Sequence, residues 1–96
     1  MLLDHLIRDR REAILFTARK HGARKVSVFG SRARGDARPD SDADILVEAG
    51  ENTSPFFPGG LLADLQDILG CRVDVAEPDG LHPAIRDQVL REAVQL

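Results

Sequence analysis

A chain of 96 residues with 43% hydrophobic content can form one modest core, not two, and is read as a single domain over residues 1–96. Its one cysteine, Cys71, rules out an internal disulfide and suits a reducing cytoplasm, and no apolar run approaches the ~20 residues of a membrane span. The net charge of -3 and the four aromatic residues, all Phe, argue against direct nucleic-acid binding.

The chain opens with Leu3, Leu6, Ile7, Ile14 and Ala18 at helical spacing, and Gly22 is a good stop for that first helix. Its basic residues, Arg8, Arg10, Arg11, Arg19 and Lys20, spread over a solvated face. Residues 26–29 are short and almost wholly apolar, as a central buried strand should be. Gly30 and Ser31 follow, with Ser31 expected as the N-cap of a short helix through Ala33. Arg32, Arg34 and Arg38 lie in the same connection. The next segment alternates: Asp42 and Asp44 share one face of a strand, while Ala43, Ile45 and Val47 share the other.

Residues 50–60, with Pro55 and Pro58 around Phe56 and Phe57, break regular structure, and packing is the expected role of both aromatics. Residues 61–69 read as a helix closed by Gly70. Residues 71–75 alternate again, with Val73 and Val75 inward, Asp74 on the opposite face and Cys71 as a packing residue. A last helix from Pro83 carries Ile85, Val89 and Ala93 on one stripe, with Leu90 and Val94 alongside. His5, His21 and His82 have no metal-ligand spacing and are expected to be capping or exposed. The order α-β-α-β-α-β-α describes an α/β (α+β) domain with a small mixed three-stranded sheet flanked by helices.

Two carboxylates on alternate strand residues stand roughly 6.5–7 Å apart at their α-carbons. They can lean onto one hard cation, or hold two ions about 3.5–4 Å apart. Amides at the Gly30-Ser31 turn favour an anion, and the nearby arginines can neutralise phosphate. If the Asp74 strand lies beside the Asp42/Asp44 strand, three acids converge, which suits a two-metal displacement at phosphorus.

In these parts the chain resembles the DNA polymerase beta-like nucleotidyltransferase superfamily: Gly30-Ser31, then Asp42-Ala43-Asp44, then Asp74. It is most similar to the minimal nucleotidyltransferases, the MNT family, whose patterns G-S-x-A-R-G and S-D-x-D-[LI]-x-V read here as GSRARG and SDADILV. The resemblance implies the minimal nucleotidyltransferase fold and binding of ATP by Gly30, Ser31, Arg34 and Arg32. It also implies two Mg2+ ions held by Asp42, Asp44 and Asp74, which are the catalytic acids. Proteins of this kind pair with a HEPN-domain toxin, so the family implies an antitoxin that transfers AMP to a tyrosine of that ribonuclease. Two alternatives stand beside this expectation: a binding-only antitoxin that neutralises its partner sterically, and a transferase acting on a small hydroxylated compound such as an antibiotic.

Overall fold

The computed structural model describes residues 3–53 and 56–96. Pro55, read above as a breaker, lies outside them. The chain begins with two consecutive helices, α1 (His5–Asp9) and α2 (Arg11–Lys20), where the sequence suggested one. The break is at Arg10, whose φ of -104° and ψ of 8° leave the helical region. Leu3, Ile7, Ile14 and Ala18 nevertheless all reach the core, because the offset at Arg10 preserves the direction of the apolar stripe.

The sheet is built from β1 (Ala23–Phe29), β2 (Ala43–Ala49), β3 (Val73–Ala76) and β4 (Val94–Gln95), in the order β3-β2-β1-β4. β1 pairs antiparallel with β2 and with β4, and β2 pairs parallel with β3, so the sheet is mixed as expected. It has four strands instead of three. The additional strand is carved from the expected last helix: α5 (Pro83–Glu92) stops before Ala93, and Val94 and Gln95 pair with Val28 and Ser27. Ala93 and Val94 therefore do not extend the helical stripe. Ile85 and Leu90 are exposed, and Val89 alone of α5 is buried. Pro83 does open α5, and the His82 ring caps it by accepting from the Ala84 N–H at 3.0 Å.

The paired residues explain the layering. Val26 stands opposite Val47 and Val28 opposite Ile45, so all four share one face, which α2 and α4 (Gly59–Leu69) cover with Ile14, Ala18, Leu61, Leu65 and Leu69. Phe57 packs against this core, whereas Phe56 is 90% exposed, against the expectation of packing for both. His21, at the end of α2, lies 2.6 Å from Asp64 of α4 and ties the two covering helices together. On the other sheet face Ser27 opposes Leu46 and Phe29 opposes Asp44. That face carries the acids. Among the described residues no helix is long and apolar enough to cross a membrane.

Candidate active site

The parallel register of β2 and β3 sets Asp44 directly against Asp74. Neighbouring strands lie about 4.8 Å apart, and residues in register project from the same face, so the two carboxylates rise side by side. Asp42 sits just ahead of β2, where the Ala43 N–H donates to the Arg72 carbonyl at 2.9 Å and begins the pairing with β3. Burial raises the Asp44 pKa above its ordinary value, the charges of Asp74 and Asp42 raise it further, and Arg34 opposes them. Asp42, Asp74 and Arg34 thus all act on Asp44. Among the described residues, however, no three His, Cys, Asp or Glu side chains are gathered into a ready metal cage. The charges are close enough to repel without being drawn onto a common point.

The Gly30-Ser31 turn abuts this cluster. Gly30 has φ 74° and ψ -156°, a conformation reserved almost entirely for glycine. A Cβ placed there would stand 3.2 Å from Asp44 Cγ and nearer still to Oδ2. The carboxylate therefore packs onto bare backbone at the head of the turn. Gly30 also occupies the capping position of α3 (Ser31–Arg34), so Ser31 is the first helical residue and not the expected N-cap. The Ala33 and Arg34 N–H groups both donate to the Gly30 carbonyl at 3.1 Å.

The two arginines of the turn part company. Arg34 is half exposed and lies 3.3 Å from Asp36 and 3.6 Å from Glu92 of α5, within the electrostatic reach of Asp44. Arg32 is 2% exposed and points the other way, into the fold. Its guanidinium is engaged by the Asp4 carboxylate at 2.7 Å and the Ser41 carbonyl at 2.7 Å. With those donors committed to protein oxygens, Arg32 does not stand with the acids, and its expected phosphate contact is corrected to an internal one. Two residues that sequence reasoning passed over border the site, Glu92 beside Arg34 and Arg72, whose Nε lies 3.9 Å from Asp42, and a third, Asp4, holds Arg32 within the fold. Their approaches span long stretches of chain, so no local spacing could have disclosed them.

The nucleotidyltransferase domain model matches residues 10–96, which include Gly30, Ser31, Asp42, Asp44 and Asp74. The chain belongs to this family. Among its relatives is protein adenylyltransferase MntA of Thermococcus cleftensis, 43% identical over 75 residues, covering 78% of this chain and 76% of the relative. A solved structure provisionally identified as a minimal nucleotidyltransferase is 47% identical, covers 98% of this chain and 97% of its own, and superposes with a TM-score of 0.83. A toxin–antitoxin complex solved with AMP-PNP shares the fold at 23% identity and a TM-score of 0.73, over 88% of this chain and 69% of its own. The family expected from GSRARG and SDADILV is thus the family found, and the minimal fold is its fold.

Proposed function

We propose that this nucleotidyltransferase is a protein adenylyltransferase: it transfers AMP from ATP to a hydroxyl of a partner protein and acts as the antitoxin of a HEPN-domain ribonuclease, in the cytoplasm, as a single domain over residues 1–96. The pairing of Asp44 with Asp74 beside the bare backbone of Gly30 carries this reading, because it brings anion-binding turn and cation-binding acids to one edge of the sheet. The name of the Thermococcus relative supports the protein acceptor. The motif resemblance supports the tyrosine of a HEPN toxin as the acceptor, and the fold shared with a toxin–antitoxin complex is consistent with that setting.

The donor set fits magnesium. Asp42, Asp44 and Asp74 are three hard carboxylate ligands, and of the burial and the repulsion that raise the Asp44 pKa, the repulsion is what a divalent cation would relieve. Two Mg2+ ions, when bound, would neutralise charge on the attacking oxygen and on the departing pyrophosphate. The residues supply the rest. Gly30 and Ser31 hold the triphosphate through backbone and hydroxyl groups, and Arg34 turns from Asp36 and Glu92 to balance its charge. Asp74, exposed at the edge of the cluster, stands on the side from which an acceptor hydroxyl can enter. The acceptor oxygen bonds to the α-phosphorus as the bond to pyrophosphate breaks, and its proton passes to a nearby carboxylate or to water. Catalysis is chiefly alignment and charge stabilisation.

Asp42→Ala and Asp44→Ala are expected to abolish AMP transfer while leaving the fold and the complex with the partner intact. Transfer at the wild-type rate by either variant contradicts the assignment. Neutralisation of the toxin by both variants, without transfer, replaces it with steric inhibition.

A further inference from the structure

Arg32 is the most deeply buried charged residue among those described, and its contacts converge on the loop that delivers Asp42. Nη1 donates to Asp4 Oδ2 at 2.7 Å. Nη2 donates to the Ser41 carbonyl at 2.7 Å and the Pro39 carbonyl at 3.3 Å, and lies 3.5 Å from the Arg38 carbonyl. The Asp4 N–H donates in return to the Arg32 carbonyl at 2.8 Å. Within the loop, the Arg38 N–H donates to the Ser41 hydroxyl at 2.8 Å and the Ser41 N–H to the Arg38 carbonyl at 3.0 Å. Residues 38–41 thus close into a turn whose carbonyls face one guanidinium, and the next residue is Asp42.

We infer that Arg32 and Asp4 form a positioning clamp for Asp42: the guanidinium fixes the 38–41 turn, Asp4 fixes the guanidinium, and neither touches the nucleotide. This rests on the role proposed above for Asp42. The loop has no strand pairing of its own before Ala43, so without Arg32 the Pro39 and Ser41 carbonyls lose the donor it supplies and must rearrange towards water. Asp42 then begins each encounter with the cation from a spread of positions. Lysine cannot replace the clamp. Its ammonium is a single point of charge, whereas the planar fork of arginine reaches Asp4 on one side and the carbonyls on the other. The clamp also couples the segment before α1 to the active site.

The test compares Arg32→Lys and Asp4→Asn, two mild changes, with the wild type. Hydrogen exchange of the nucleotide-free proteins is expected to quicken about tenfold at the amides of Arg38 and residues 40–42 in both variants, without a matching change in the sheet. Calorimetric Mn2+ binding is expected to weaken in both. With ATP and the partner, kcat should fall about tenfold while KM for ATP stays within about twofold. The double variant should match the single ones, because both changes break one clamp. A raised KM in Arg32→Lys alone, with Asp4→Asn unaffected, would make Arg32 a phosphate ligand and overturn the clamp. A lower melting temperature with unaltered exchange at Arg38 and residues 40–42 and unaltered Mn2+ affinity would reduce the pair to general stabilisation and overturn it equally. If the wild type transfers no AMP, the proposed function fails, yet exchange and Mn2+ binding still decide whether the clamp exists.

Discussion

Replacing Gly30 with alanine separates the cost of a backbone shape from the cost of moving the Asp44 carboxylate. Gly30 lies at φ 74° and ψ -156°, where a residue with a side chain incurs about 1–3 kcal/mol of strain. For a domain of this size each kcal/mol lowers the melting temperature by roughly 4–8 °C. Gly30→Ala is therefore expected to melt about 4–24 °C lower, and to remain folded against a total stability of about 5–15 kcal/mol. The new methyl meets Asp44 Oδ2 first and Cγ at 3.2 Å. A carboxylate is the mobile end of its side chain, so Asp44 yields before the sheet does. A catalytic group misplaced by about 1 Å can cost about 100-fold in rate. The assay pairs thermal melting of the nucleotide-free protein with initial rates of AMP transfer. A moderate loss of stability with a fall in rate of about two orders of magnitude is the expected result. A variant that loses stability but transfers AMP at the wild-type rate would refute the argument that the turn and Asp44 share one packed site.

Asp44→Asn should raise the melting temperature of the metal-free protein at neutral pH. Burial and the neighbouring acids raise the folded-state pKa of Asp44, so ionised Asp44 destabilises the fold; stability falls as pH rises from the unfolded to the folded pKa, and melts of wild type and Asn variant should converge below that window. A gain that persists unchanged into strong acid would contradict this cause. Ile45→Ala, at a wholly buried position in the centre of the sheet opposite Val28 and Val75, should cost about 2–5 kcal/mol by urea unfolding, and a cost under about 1 kcal/mol would mean that the core is elsewhere.

The parts of the site that lie on strands were legible because alternation is a strict rule. Asp44 and Asp74 could be assigned to the face opposite Ile45 and Val73 from period alone, and only their mutual register awaited the structure. The family pattern supplied the turn. What escaped was set by contacts distant in sequence. Val94 and Gln95 are too few to display a period of two, and the apolar spacing of Val89, Ala93 and Val94 suits a helix equally well. Nothing near Arg32 distinguishes it from Arg34; its inward turn is decided by Asp4, 28 residues away, and by carbonyls that no sequence pattern encodes. Gly30, rather than Ser31, holds the capping position of α3, and there the carboxylate of Asp44 leaves no room for a side chain.

The proposed reaction is the transfer of AMP to a partner protein. Its most direct test mixes the purified chain with ATP, Mg2+ and a candidate HEPN-domain partner protein, and takes the intact mass of both, with the Asp42→Ala/Asp44→Ala double variant alongside. An AMP-sized addition to the partner, absent with the variant, is the predicted result. A stable complex in which neither protein gains mass would contradict it.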